Sequence, residues 1–212
     1  MSSSPSGFSD PPGVHVASAS AGLLAFLGTT YLWSASAHVA AFDQHLLQTL
    51  AAPSGSLAEI TARIVTRWGS VPVLVGLALL IAAWLWRRGA RRAALAWGAL
   101  FAAGEATVFG LKLLVSRPRP TAPGVLQASF SYPSGHAFGA LLVYGMGLCV
   151  LFRARPDWAG APLLVAVALL VAAIGASRVV LAVHHPTDVL GGWMWAVPWL
   201  ALATWSARLE AP

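Results

Sequence analysis

Six apolar segments separated by polar stretches dominate this sequence and restrict it to folds that are stable in lipid. A helix that crosses the hydrocarbon core of a bilayer needs about 20 mostly apolar residues, because the core is about 30 Å thick and each residue rises about 1.5 Å. The segments are Val16–Ala40, Ser70–Trp86, Ala93–Val115, His136–Phe152, Pro162–Ser177 and Thr187–Ala207. The sequence therefore predicts an all-α, polytopic membrane protein built as a bundle of six transmembrane helices.

The charge content supports a membrane protein over a soluble one. Only 9% of the 212 residues are charged, whereas soluble domains have about 25%. The net charge of +6 does not indicate a nucleic-acid partner, since such a partner requires cations gathered on a solvated face. Here the cations lie at the ends of apolar segments.

The chain is predicted to consist of a short tail and one membrane domain. Met1–Gly13 is rich in Ser, Pro and Gly and is interpreted as a disordered tail. Residues 14–212 form the membrane domain. Between the first two segments, Phe42–Trp68 is of mixed character, and an apolar stripe predicts a short interfacial helix. The stripe consists of His45, Leu46, Leu47 and Leu50.

The distribution of Lys and Arg predicts the orientation in the membrane. One side receives Arg87, Arg88, Arg91, Arg92, Arg153, Arg155 and Arg208. The other receives Arg63, Arg67, Lys112, Arg117, Arg119 and Arg178. The first four arginines share one short loop, where the positive-inside rule acts most strongly. Three cations of the second group, Lys112, Arg119 and Arg178, are instead assigned a chemical role below. Both termini are therefore predicted to be cytoplasmic.

Three polar clusters interrupt the apolar chain, and all are predicted at the outward ends of segments. They are Lys112–Pro120, Pro133–His136 and Ser177–Asp188. In the second cluster, Ser134 suits the N-cap of the fourth helix, whose unpaired amides form an anion site. Gly135 lacks the Cβ that would keep an oxyanion from the backbone. His136 then lies in the first helical turn, within reach of the same anion.

The third cluster contains a histidine and an aspartate at helical spacing. Pro186 suits the first position of the last helix, which places His184 just before it and Asp188 in its first turn. The carboxylate can reach one ring nitrogen of His184 and fix its tautomer, so His184 is a candidate nucleophile or base.

Three cations accompany these groups and match the three equatorial oxygens of a phosphoryl group in transfer. They are Lys112, Arg119 and Arg178. Arg117 is interpreted as an anchor or a supporting residue. Glu105 lies two helical turns before Lys112 and is expected to point into the bundle, either to hold Lys112 through water or to pair with Arg63 or Arg67.

The three clusters together resemble the signature of the type 2 phosphatidic acid phosphatase family, K-x6-RP, PSGH and SR-x5-H-x3-D. In this sequence they read Lys112 to Arg119-Pro120, Pro133-Ser134-Gly135-His136, and Ser177-Arg178 to His184 to Asp188. Every signature position is present in the family's order and spacing. The vanadium haloperoxidases share this signature, but they are soluble enzymes, and this chain is too short and too apolar to be one.

The resemblance implies a metal-independent phosphatase with defined residue roles. His184 attacks phosphorus, Asp188 orients His184, and His136 protonates the leaving oxygen. The residues expected to bind the phosphate are Lys112, Arg119, Ser134, Gly135 and Arg178. No cofactor or metal is expected, since no cluster offers the converging ligands that a divalent ion requires.

The expected function is hydrolysis of a lipid phosphate or pyrophosphate through a phosphohistidine, at the extracytoplasmic face of the inner or plasma membrane. Undecaprenyl pyrophosphate, phosphatidic acid and phosphatidylglycerophosphate are candidates. An isoprenyl pyrophosphate is favoured, because Arg117 or Arg63 could meet its additional charge. The alternatives are a lipid phosphotransferase that uses the same histidine and a membrane anion carrier. The sequence does not fix the oligomeric state.

Overall fold

The computed structural model describes residues 12–120 and 130–206, and in these ranges the chain is helical between short turns. It forms eight α-helices there, with a 3₁₀ turn at Pro156–Trp158. The helices are α1 Pro12–Ala35, α2 Ala37–Leu50, α3 Leu57–Arg67, α4 Val71–Arg87, α5 Arg91–Val115, α6 Gly135–Ala154, α7 Ala161–Val180 and α8 Pro186–Ser206. The all-α prediction is confirmed.

Five stretches of the described chain are long and apolar enough to cross a membrane. They are Gly13–Ala35, Leu57–Arg87, Arg91–Val115, Gly135–Ala154 and Ala161–Val180. The last helix, α8, has 21 residues and a length of about 30 Å, but it is less apolar because it carries Asp188 and several Thr, Gly and Trp residues. The protein is therefore a multi-pass membrane protein, while the count of six spans stays a prediction.

The first helix differs from the prediction at both ends. The sequence predicts one helix over Val16–Ala40, whereas α1 ends at Ala35. Ser36 adopts an extended backbone conformation and accepts a hydrogen bond from the Val39 amide at 3.3 Å, so it caps a new helix within apolar sequence. Of the predicted tail Met1–Gly13, the last two residues belong to α1, and the first eleven lie outside the described residues.

Two helices, α2 and α3, occupy the region in which a single interfacial helix is predicted. Leu47 of α2 is buried and packs against Ala137 and Val179. The connection between α2 and α3 is tied to α7, since the Ala52 amide donates a hydrogen bond to the Val180 carbonyl at 2.9 Å. Both helices therefore lie against the end of the bundle at which α7 finishes.

The centre of the bundle is α6, which packs against α4, α5, α7 and α8. Phe138, Leu142 and Met146 of α6 are fully buried. At Gly192 of α8, an added Cβ would lie 2.5 Å from the Ser134 carbonyl oxygen. The absence of a side chain there lets α8 contact the start of α6, and this close approach brings the second and third polar clusters side by side.

Arginine and tryptophan side chains pair at the helix ends farthest from these clusters. The guanidinium carbon lies 5.2 Å from the ring centroid in the Arg88–Trp84 pair, 5.5 Å in Arg91–Trp86 and 5.4 Å in Arg155–Trp158. Such pairs suit the interface between lipid and water. This arrangement is compatible with the predicted orientation, in which this end is cytoplasmic.

Candidate active site

The three polar clusters meet at one end of the bundle. The Ser134 amide donates to the Asp188 carbonyl at 2.9 Å and the Ser131 amide to the Arg117 carbonyl at 2.8 Å. Arg119 Nη1 donates to the Val183 carbonyl at 3.0 Å. The third cluster is therefore joined to both others by hydrogen bonds to the backbone, and the residues just before the second cluster are joined to the first. The site is held by contacts between segments far apart in the sequence.

His184 has a defined hydrogen-bonding partner at each ring nitrogen. Nδ1 lies 3.3 Å from Asp188 Oδ2, and Nε2 lies 3.1 Å from Arg119 Nη1. Because an arginine can only donate, Nε2 acts as the acceptor, and Nδ1 carries the hydrogen that is donated to Asp188. This pattern assigns the tautomer in which the Nε2 lone pair faces Arg119.

The environment of His184 keeps its imidazole neutral. The side chain is almost fully buried, and burial lowers the pKa of His184 to about 3, although the hydrogen bond to Asp188 acts in the opposite direction. The nearby charges of Arg119 and Lys112 also lower the pKa. A neutral imidazole is the form that can act as a nucleophile.

Asp188 is fully buried and is bonded through both of its oxygens. Oδ2 accepts a hydrogen bond from the His185 amide at 2.8 Å in addition to the contact with His184. Oδ1 accepts one from Arg117 Nη1 at 2.7 Å. The carboxylate is thus fixed on the side away from His184 as well as on the side that faces it.

The start of α6 is arranged as the sequence predicts. Ser134 is buried, and its hydroxyl accepts a hydrogen bond from the Ala137 amide at 3.5 Å. A Cβ at Gly135 would meet only Val108, at an ordinary contact distance of 3.8 Å. Packing within the described residues therefore does not require a glycine at this position.

His136 lies in the first turn of α6 and packs against a tight turn of another segment. A Cβ added at Gly69 would lie 3.2 Å from His136 Cδ2. His136 lies close enough to Arg178, Arg119 and Lys112 to interact with their positive charges. The two histidines and the three cations therefore share one electrostatic environment.

The three cations are held from different elements. Lys112 Nζ donates to the carbonyls of Phe130 at 2.9 Å and Ser131 at 3.1 Å. Arg178 Nη1 donates to Thr66 Oγ1 at 2.6 Å. The Nε of Arg178 is buried and has no hydrogen-bond partner among the described residues. A buried donor without a partner is costly, and an anion bound here would satisfy it.

The expected partners of Glu105 are partly corrected. Arg63 pairs with Glu59 on α3, with Nη2 at 2.6 Å from Oε1, because the two residues are one helical turn apart. Glu105 points toward α6, where its Oε1 would lie 3.0 Å from a Cβ at Gly139. Glu105 lies close enough to Lys112 for an electrostatic attraction between the two charges, as expected of a carboxylate on the same face of α5.

One buried residue of the site was not identified from the sequence. Asp43 of α2 is 1% exposed, and its Oδ2 accepts a hydrogen bond from Arg117 Nη2 at 2.7 Å. The signal that could have found it is the single acidic residue within the mostly apolar α2, since a buried carboxylate requires a partner. In the described part of the chain, no three His, Cys, Asp or Glu side chains converge to hold a metal ion.

Comparison with known proteins places this geometry in a family. The sequence profile of the PAP2 superfamily matches residues 93–210. Over 85 residues, the chain is 40% identical to phosphatidylglycerophosphatase B of Bacillus subtilis (strain 168), a match that covers 39% of this chain and 42% of that protein. The chain thus spans less than half the length of this curated relative.

The similarity to a solved structure extends over almost the whole fold. The structure is similar to the crystal structure of a transmembrane PAP2 type phosphatidylglycerolphosphate phosphatase from Bacillus subtilis, with a TM-score of 0.81 and 25% sequence identity. The match covers 92% of this chain and 98% of that one. Because the profile spans more than half of the chain and the fold agrees, the chain belongs to the PAP2 superfamily.

Proposed function

We propose that this protein hydrolyses a lipid phosphate through a phosphohistidine formed at His184 Nε2. The observation that carries the proposal is the assigned tautomer of His184, with Nδ1 bonded to Asp188 and the Nε2 lone pair directed at the cation Arg119. A phosphate held by Arg119 would lie beside this lone pair. The arrangement corresponds to an activated nucleophile oriented by a third group.

The proposed reaction has two steps. In the first, the Nε2 lone pair attacks phosphorus and the bond from phosphorus to the leaving oxygen breaks. His136, held as an imidazolium because the bound phosphate dianion offsets the neighbouring cations, gives that oxygen a proton and becomes neutral. In the second, a water molecule gives a proton to His136 and attacks phosphorus, which breaks the P–N bond and releases inorganic phosphate. Asp188 stabilises the positive charge that His184 acquires while it is phosphorylated.

Binding of the phosphate is proposed to rest on cations and helix amides. The proposed ligands are Lys112, Arg119, Arg178, the Ser134 side chain and the Gly135 amide. Three cations offset the charge of a phosphate dianion, and the start of α6 adds unpaired amides and the positive end of the helix dipole. Two observations on the described residues support this arrangement: the Nε of Arg178 has no hydrogen-bond partner, and packing does not require a glycine at Gly135.

The substrate we favour is phosphatidylglycerophosphate rather than an isoprenyl pyrophosphate. The preference for a pyrophosphate rests in part on Arg117 or Arg63 as spare cations. However, Arg117 pairs with Asp43 and Asp188, and Arg63 pairs with Glu59. In addition, both similar proteins described above are phosphatases of this phospholipid by name. The lipid chains would stay in the bilayer while the headgroup reaches the site.

The test is phosphate release from a substrate panel by purified protein in detergent. The panel contains phosphatidylglycerophosphate, phosphatidic acid, undecaprenyl pyrophosphate and glycerol 3-phosphate, and His184→Gln serves as the inactive control. We expect the highest kcat/KM with phosphatidylglycerophosphate and full activity with EDTA present. Equal kcat/KM for glycerol 3-phosphate would contradict a lipid substrate, and loss of activity with EDTA that added metal restores would contradict the mechanism.

A further inference from the structure

The proposed reaction leaves Asp43 without a role, although its carboxylate belongs to an ion-pair network that ends on Asp188. One guanidinium connects the two acids: Arg117 Nη2 donates to Asp43 Oδ2 at 2.7 Å, and Arg117 Nη1 donates to Asp188 Oδ1 at 2.7 Å. Arg117 is 7% exposed, and its guanidinium carbon lies 4.2 Å from the ring centroid of Trp33. The bridging arginine is therefore fixed on three sides.

Asp43 also fixes the helix that carries Asp188. Its Oδ1 accepts a hydrogen bond from the Thr187 amide at 3.0 Å, and its Oδ2 accepts one from Thr187 Oγ1 at 2.6 Å. The Thr187 amide is one of the donors that a helix leaves unpaired at its start. A carboxylate from α2 thus caps α8, a task that a residue next to the helix usually performs.

The shared arginine makes the charge of Asp43 important for Asp188. While Asp43 is ionised, Arg117 divides its two Nη groups between two carboxylates. Without that charge, Arg117 would pair with Asp188 alone, since arginine favours a two-pronged contact with one carboxylate. Asp188 would then compensate less of the positive charge that develops on His184 as Nε2 bonds to phosphorus.

We propose that Asp43 is a positioning residue for phosphoryl transfer, which acts through Arg117 to keep Asp188 in the geometry and charge state that His184 requires. This inference rests on the proposed function and extends it to α2, which precedes the matched residues 93–210. Asp43 touches neither the cations of the phosphate site nor His184 in the contacts described above. Its replacement should therefore change kcat much more than KM.

The first experiment compares Asp43→Asn with the wild type, using purified protein in detergent and phosphatidylglycerophosphate. We expect kcat to fall about tenfold, within the range of couplings carried by such networks, and KM to change less than about twofold. The matched control is Asp157→Asn, at an exposed position in the turn after α6. If the wild type releases phosphate and Asp43→Asn keeps its kcat, the inference is overturned; if the wild type releases none from any lipid, the proposed function fails instead.

The second experiment separates positioning from a purely structural role. Orthovanadate mimics the phosphoryl group in transfer, whereas inorganic phosphate resembles the product. We expect Asp43→Asn to weaken orthovanadate binding by about the same factor as kcat and to leave phosphate binding within about twofold, both measured by calorimetry. Equal weakening of both anions, together with a lower melting temperature, would show that Asp43 only stabilises the fold. This readout does not depend on turnover.

Discussion

Arg119 donates a hydrogen bond from Nη1 to Nε2 of His184 at 3.1 Å, so the lone pair of the proposed nucleophile is bonded to a cation of the proposed phosphate site. The same Nη1 donates to the Val183 carbonyl at 3.0 Å, which holds the guanidinium in place. A phosphate oxygen that binds this Nη1 group competes with Nε2 for the same donor. We therefore expect substrate binding to release the lone pair that attacks it.

The first prediction concerns the covalent intermediate. With substrate labelled at its phosphate, protein quenched in base during turnover should carry label, because a P–N bond to histidine survives base. His184→Gln should carry none and should lose at least about a thousandfold in kcat, since removal of a nucleophile leaves only the contribution of binding. Label on His184→Gln would assign the nucleophile to another residue.

The second prediction concerns His136 as the acid that protonates the leaving oxygen. His136→Gln should slow phosphorylation by an alkyl lipid phosphate by about a hundredfold or more, but it should slow phosphorylation by an aryl phosphate much less, because a good leaving group departs without a proton. Rapid-quench measurement of the phosphoenzyme separates this step from its breakdown. An equal loss with both substrates would remove the acid role.

The third prediction concerns the missing side chain at Gly135, the first residue of α6. Gly135→Ala should lower kcat/KM at least about tenfold, because its methyl group would face the phosphate beside the amide that binds it. The melting temperature in detergent should not change, since this Cβ would meet only Val108 at 3.8 Å. Gly98→Ala on α5 is the matched control, because its Cβ would have no neighbour within 4 Å. Unchanged activity of Gly135→Ala would argue against a phosphate at this amide.

The sequence predicted the parts of this structure that depend on local patterns. Apolar length located the helices to within a few residues, and local spacing anticipated that Ser134 caps α6 and that His184 and Asp188 come within hydrogen-bonding distance. The break at Ser36 was missed because the residues on both sides of Ser36 are as apolar as those inside a continuous membrane helix. A single N-cap residue decides where α2 begins, and the length and composition of an apolar segment do not reveal it.

The part of the site that could not be predicted depends on contacts between distant segments. Asp43 and Arg117 are 74 positions apart, and no periodic pattern connects α2 with the loop after α5. The sequence likewise left Arg63 open as one of three partners of Glu105. Arg63 pairs instead with Glu59, because a residue one helical turn away competes with every distant carboxylate. Local spacing determines which groups can meet within a helix, whereas tertiary packing determines which charges neutralise each other.

The fourth prediction concerns the protonation of His184. Because burial lowers its pKa to about 3, the imidazole should stay neutral between about pH 5 and 7, whereas a free histidine titrates at about pH 6.5. Nitrogen NMR of protein labelled at histidine in micelles measures this directly, and the His184 signal is the one missing in His184→Gln. The nitrogen chemical shifts of His184 should not change between about pH 5 and 7. A change in these chemical shifts at about pH 6.5 would mean that His184 is largely protonated in mild acid and cannot act as a nucleophile there.

The last prediction concerns which side of the membrane the site faces. The turn between α2 and α3 lies at the end of the bundle that holds His184, whereas the turn between α6 and α7 lies at the opposite end, and Ser54 and Ala159 are exposed in these two turns. In a Cys149→Ala background, Ser54→Cys should react with a membrane-impermeant maleimide on intact cells. Ala159→Cys should react only after the membrane is opened, because the arginines of the short loop after α4 favour the cytoplasm for that end. The reverse pattern would place the site in the cytoplasm, and it would require the substrate headgroup to be presented from the inner leaflet.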